Sequence, residues 1–132
     1  MKKYIIKIDK GLNLAPCKHE LAAAEIIASF MKSDLLFLRR SLNASPDFLV
    51  RKTNQMWELK SPVGNGKRTI SNNLRDAAHQ SKNVVLDLSR CKMNNRRAIS
   101  RVRGFLKSGC STLDRLLVID KSGNVIDFSD LV

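Results

Sequence analysis

The stretch SPDFLVRKTNQMWELKSP, residues 45–62, contains the residues best suited to chemistry. Asp47 stands at the head of one apolar run, and Glu58 and Lys60 form an E-x-K at the end of the next. Two residues apart on an extended strand, Glu58 and Lys60 face the same way. If the two runs pair as neighbours, Asp47 converges on them. Two carboxylates and an ammonium suit metal-dependent phosphodiester hydrolysis. The carboxylates offer oxygen to a hard divalent cation, and the lysine orients water or helps to deprotonate it.

A further acid precedes them. Glu20 opens a helical pattern in which steps of three and four reach Ala24, Ile27 and Met31, so its carboxylate lies in line with apolar residues. A carboxylate there is costly unless neutralised, and a metal shared with Asp47 and Glu58 would neutralise it. The plainer reading leaves Glu20 wet, favouring the helix dipole. Glu25, on the line Leu21–Ala28–Lys32, competes for the same role. Gln80, just before another apolar run, has an amide able to donate to a phosphate or a carboxylate.

These residues need elements to position them. Residues 4–8 read as a short strand. A helix starts at Pro16, a favourable first helical residue, and runs to about Met31. Residues 35–38, 47–51 and 55–60 are strands, the last two joined by Lys52-Thr53-Asn54. Residues 61–68 form a loop punctuated by Pro62, Gly64 and Gly66. A helix capped by Thr69 or Ser71 reaches about Gln80. NVVLDL, 83–88, is the nearly continuous apolar run of a central strand covered on both sides. A third helix spans roughly Asn94 to Lys107. Strands 115–120 and 124–128 close the chain around Lys121-Ser122-Gly123-Asn124. The order β-α-β-β-β-α-β-α-β-β predicts a single α/β domain over residues 1–132, a mixed central sheet flanked by helices.

Charge narrows the partner to nucleic acid first, with an anionic membrane surface or an acidic protein accounting for the same balance. The 132 residues carry a net charge of +12, with 43% hydrophobic and only 5% aromatic residues. A globular chain so basic suits nucleic acid, since Lys and Arg on phosphates release counterions. Between Asp87 and Asp114 there is no acidic residue, while Arg90, Lys92, Arg96, Arg97, Arg101, Arg103 and Lys107 all fall there. On the third helix these cations avoid the face of Ile99, Val102 and Leu106, as a phosphate-tracking surface would. Lys67 and Arg68, in a glycine-containing loop before a helix, add to it. The scarcity of aromatics favours recognition of backbone and shape over stacked bases.

Other classes recede. Cys17, Cys91 and Cys110 are odd in number and scattered, which argues for a reducing compartment and idle thiols. Cys17 and His19 lack a second pair to complete a zinc site. No run is long enough to span a membrane, and the N-terminal apolar run, broken at Lys7 and Asp9, lacks the h-region of a secretory signal. The expected location is cytoplasmic.

The succession HELAAAEII, then SPDFLV, then WELKSPVGNGKRTISNNLRDAAHQSKNVVLDL, resembles the C-terminal toxin domains of CdiA contact-dependent growth inhibition proteins, specifically the tRNA nuclease group. The resemblance runs from about Glu20 to Phe128. That group is similar to PD-(D/E)xK, restriction-endonuclease-like nucleases, whose core order α-β-β-β-α-β matches residues 16–88, with extra terminal strands here. The resemblance implies that Asp47, Glu58 and Lys60 take the motif positions, Glu20 the helix acid and Gln80 a supporting role. The cofactor would be a divalent metal, Mg²⁺ first, with Mn²⁺ or Zn²⁺ as alternatives. The partners would be tRNA and, for a toxin, an acidic immunity protein. A toxin would act in the cytoplasm of the target cell.

Three rivals remain open. One is a structure-selective DNA endonuclease, Holliday-junction-resolvase-like and dimeric. A second is a metal-independent RNase using His19 or His79. A third is a non-catalytic nucleic-acid-binding protein using only the basic helix. The oligomeric state is open.

Overall fold

The computed structural model describes residues 3–9, 16–38, 46–109 and 112–132; Ser45 and Cys110 lie outside them. Among the described residues, seven strands form one sheet in chain order. They are β1 (Ile6–Ile8), β2 (Leu35–Phe37), β3 (Phe48–Val50), β4 (Gln55–Lys60), β5 (Asn83–Asp87), β6 (Arg115–Ile119) and β7 (Val125–Asp127). Strands β2, β3 and β4 meander antiparallel. Strand β1 pairs parallel with β2, and β4, β5 and β6 are mutually parallel. β7 closes the edge antiparallel to β6. The parallel joins at β4–β5 and β5–β6 are made through helices α2 (Thr69–Gln80) and α3 (Asn95–Lys107), the usual means of returning a chain to a parallel position.

Helix α1 (Lys18–Met31) covers one face of the sheet. It buries Ala23, Ala24, Ile27 and Ala28, a side built largely of small residues, against Leu35, Phe37, Phe48, Val50, Trp57 and Leu59. Helices α2 and α3 cover the other face, with Ile70, Leu74, Ala77, Ala98 and Val102 over Val84 and Leu86. β5 therefore feeds both cores, Val85 towards α1 and its neighbours towards α2 and α3, as its unbroken apolar run required. Full burial of a side chain as large as Phe37, Phe48 or Ile27 is worth roughly 1.5–3 kcal/mol, so the two cores secure the sheet on which the site is built.

The element order is the one read from the sequence, and the differences are at the ends. Pro16 lies outside α1, and Cys17 caps it. Arg68 occupies the cap position of α2 in place of Thr69 or Ser71, because the Thr69 hydroxyl is engaged backwards, accepting the Gly66 N–H at 3.1 Å. Asn94 caps α3, its side chain accepting the Arg97 N–H at 2.9 Å. The β3–β4 hairpin closes over residues 51–54, with Asn54 in the left-handed region at φ 59° that asparagine tolerates well. A short 3-10 turn at Ser129–Leu131 follows β7 and was not anticipated. None of the described helices is long and apolar enough to cross a membrane.

Candidate active site

Strand β4 divides its side chains between the two faces. Trp57 and Leu59 enter the core under α1. Glu58 and Lys60, of opposite parity, turn towards α2. Glu58 is only 3% exposed.

Asp47 reaches Glu58 from β3. Phe48 faces Trp57 in the antiparallel register, so one step further Asp47 stands opposite Glu58. The Asp47 backbone is held from both sides. Its N–H donates to the Trp57 carbonyl at 2.9 Å, and its carbonyl accepts the Leu38 N–H at 2.8 Å. Its carboxylate extends the ladder, Oδ2 accepting the Leu59 N–H at 2.8 Å. The sequence places Asp47 at the head of the apolar run, and the strand pairing makes that position converge on Glu58.

Two nearly buried carboxyls now lie against each other. Burial first, then the Asp47 charge and a hydrogen bond to Asp47, push Glu58 up to about 8, against a partial pull downward from Lys60. The Lys60 Nζ sits 3.4 Å from Glu58 Oε2. Gln80 joins the two: with its amide oriented to suit both neighbours, it donates to Glu58 Oε2 at 2.8 Å and accepts from Lys60 Nζ at 3.1 Å. Gln80 ends α2, and the turn after it is tied to β4. Ser81 Oγ and Asn83 Nδ2 each donate to the Met56 carbonyl, at 3.2 Å. The structure thus gathers Asp47, Glu58, Lys60 and Gln80 into one hydrogen-bonded group.

Glu20 is placed differently. Its Oε1 accepts the Cys17 N–H at 3.0 Å, and together with the Cys17 side chain it makes a capping box at the start of α1. Among the described residues, no three His, Cys, Asp or Glu side chains gather as a metal-binding group. Glu25 is exposed. His19 lies against the Arg90 guanidinium, with Nε2 3.0 Å from it, and His79 is exposed. Cys17 and Cys91 are free thiols, Cys17 exposed and Cys91 buried.

The glycine loop is closed by bonds between Gly66 and Thr69. Gly66 N–H is spent on Thr69 Oγ1, and Thr69 N–H returns to the Gly66 carbonyl at 3.2 Å. A Cβ at Gly64 would stand 3.0 Å from Thr69 Oγ1, so the Thr69 side chain would have to give by a few tenths of an ångström. Behind the loop, the Gly64 and Val63 carbonyls accept from Cys91 Sγ and from Lys92 N–H.

The expected phosphate-binding residues separate into groups. Lys67, Arg96, Arg97 and Arg101 line a groove of about 810 Å³ between α2 and α3. Asp47, Glu58 and Lys60 are not among its lining residues. Arg103 and Lys107 face a second depression beside β7, the Arg103 guanidinium lying 5.9 Å from the Phe128 ring centre. Arg68 is exposed at the start of α2 and lines neither. The sequence reading missed Arg75, which also lines the first groove. Its signal was the four-residue spacing of Ser71 and Arg75, which makes the two neighbours on one side of α2.

Comparison with known proteins agrees with this architecture. No curated protein matches the sequence. The structure is similar to the CdiA-CT/CdiI toxin and immunity complex from Burkholderia pseudomallei, with a TM-score of 0.60 and 17% identity over 92% of this chain and 98% of that one; at that identity the likeness is one of fold. The family model of the contact-dependent growth inhibition CdiA C-terminal domain matches residues 44–125, a span that includes Asp47, Glu58, Lys60 and Gln80 and starts after α1. By that match over more than half of its length, the chain belongs to the CdiA C-terminal domain family of contact-dependent growth inhibition.

Proposed function

We propose that this domain is a metal-dependent nuclease of the PD-(D/E)xK type that hydrolyses phosphodiester bonds in structured RNA, tRNA foremost, and acts as a toxin in the cytoplasm of a target cell. The observation that carries the reading is the Asp47–Glu58 pair, with Lys60 and Gln80 on the same carboxyl. Two carboxyls pressed together where only one can readily ionise have surplus oxygen ligands and a shortage of positive charge. That donor set fits a hard cation, which takes one or two carboxylates and fills its other positions with water and substrate phosphate. With neither imidazole nor thiolate in the group, Mg²⁺ or Mn²⁺ fits better than Zn²⁺.

Asp47 and Glu58 would hold the ion, which when bound would lower the pKa of its water and stabilise charge on the phosphate. Gln80 fixes the direction of the Lys60 ammonium, and Lys60 donates to the oxygen that gains charge as the phosphodiester opens. Asp47, with its backbone held on both sides, keeps the pair in place without reorganisation.

Folded RNA is the favoured substrate because the surface is basic and offers few aromatic faces. Trp57 is completely buried, and Phe37, Phe48, Phe105 and Phe128 are nearly so. Recognition then rests on backbone and shape. The structural neighbour is a toxin and immunity complex; for this chain an acidic immunity protein is the corresponding partner, since opposite charge speeds capture.

The test is incubation of the purified protein with total tRNA, with plasmid DNA and with a four-way DNA junction, in Mg²⁺, in Mn²⁺ and in EDTA, beside Glu58→Ala. Cleavage of tRNA that needs metal and is lost in the variant is the expected result. Cleavage that survives EDTA, or equal cleavage by the variant, overturns the site. Cleavage confined to branched DNA moves the substrate to the resolvase-like reading.

A further inference from the structure

Helix α2 presents polar side chains in two directions. Gln80 turns inward to Glu58 and Lys60, whereas Arg75 is exposed and opens onto the α2–α3 groove. Five residues on a helix separate them by about 7.5 Å of rise and about 140° of rotation. The groove is lined by Lys67, Ser71 and Arg75 from the α2 side and by Arg96, Arg97 and Arg101 from α3. No acidic side chain is among its described lining residues, and its volume is about 810 Å³. Its one aromatic, Phe105, is 7% exposed, so it offers no stacking platform.

We infer that the α2–α3 groove is a second binding site for the phosphodiester backbone of a folded RNA, occupied together with the Asp47–Glu58 site but separate from it. The inference rests on the nuclease reading for the identity of the ligand. Five cations and several hydroxyls in one trough match a row of phosphates, and the buried ring leaves bases unread. Because the groove and the carboxyls lie on different sides of α2, a ligand that fills both must curve around the helix. A folded RNA presents phosphates on several faces and can do so. A short single strand cut at the carboxyls has no need of the groove.

The experiment uses the inactive Glu58→Ala protein, so that binding is measured without cleavage. Binding of a folded tRNA is followed against salt for this protein and for versions also carrying Arg75→Ala with Arg97→Ala, or Arg51→Ala with Lys52→Ala. Arg51 and Lys52 are exposed in the β3–β4 turn and serve as a charge-matched control. The groove pair should lower the slope of log affinity against log salt by roughly two, about one for each phosphate that is no longer neutralised. The control pair should leave the slope within experimental error. In the active protein, the groove substitutions should raise KM for the folded RNA several-fold. Equal slopes for the groove and control pairs overturn the inference, whether both fall or neither does. Failure of the active protein to cut anything sinks the nuclease reading instead, and the binding arm still decides the groove.

Discussion

The Glu58 carboxyl is hydrogen-bonded to that of Asp47 across the β3–β4 ladder, and the two residues are only 3% and 7% exposed. Like charges directly opposite one another destabilise a strand pair, and burial multiplies the cost. A proton on Glu58 relieves it, and so does a cation. Two carboxyls kept together with so little exposure cost the fold stability unless a proton or a cation is shared between them, which is why the pair reads as a site.

Stability should depend on pH through Glu58. Its carboxyl is ordinary at 4.5 in the unfolded chain and rises to about 8 in the folded protein. Between those values the native state binds more protons than the unfolded one, so unfolding free energy falls as pH rises through the window. In EDTA, Tm should decline from about pH 4.5 to about pH 8. Glu58→Gln keeps the shape without the ionisation and should remove much of that slope. Thermal melts across the window decide it, and an unchanged slope in the variant would contradict the assignment to Glu58.

Divalent metal should act in the opposite sense. Near pH 8, where the proton is leaving, Mg²⁺ or Mn²⁺ at a hundredfold excess over its Kd should stabilise the protein by about 2.7 kcal/mol. Asp47→Asn and Glu58→Gln each remove a charged ligand and should abolish most of the gain. Thermal shift against metal concentration measures it. Equal stabilisation of both variants and the parent would place the ion elsewhere.

Gln80 should matter to rate more than to folding. Its amide touches Glu58 and Lys60, so Gln80→Ala leaves the ammonium unoriented while removing little buried apolar surface. Loss of such an outer partner typically costs about 10–100-fold. We expect that fall in kcat, with KM for RNA and Tm nearly unchanged. A drop confined to KM would make Gln80 a substrate contact and not a positioning residue.

Much of this was legible before the fold. The strands carrying Asp47 and Glu58 announced themselves by apolar runs with a turn between them, and two-residue periodicity put Glu58 and Lys60 on one face. Even Gln80 could be suspected from its place before β5, although what it touches depends on how α2 lies across β4. Glu20 is the instructive case. Its in-line position beside Ala24 and Ile27 is real, but position on a stripe does not set distance along the helix axis. In the first turn a local backbone N–H is a nearby partner, and the Cys17 amide takes an oxygen of Glu20. The groove was half visible: the arginines of α3 formed an obvious run, whereas Arg75 stood alone in the sequence and gained its meaning only when α2 lay beside α3. The use of Gly64 and Gly66 turned on a single hydroxyl, that of Thr69, which composition does not reveal.

Two substitutions, one on α2 and one at the start of β5, should separate support of the core from support of the site. Leu74 is fully buried on the inner side of α2, and Leu74→Ala should cost about 2–5 kcal/mol through reduced burial and the cavity left behind. The end of α2 that carries Gln80 remains tied to β4 by Ser81 and Asn83, so below its lowered Tm the variant should cut at nearly the parental rate. Asn83→Ala has the reverse profile. It removes a single bond to the Met56 carbonyl, and its Oδ1 is already without a partner in the interior. The stability cost should therefore be only about 0.5–1.5 kcal/mol. The loosened turn lets Gln80 drift from Glu58 and Lys60, and kcat should fall several-fold. Chemical denaturation and steady-state cleavage, both measured well below the melting of Leu74→Ala, give the comparison. If the two variants lose rate in proportion to their loss of stability, the tie to Met56 is mere fold support, and Gln80 is held by the packing of α2 alone.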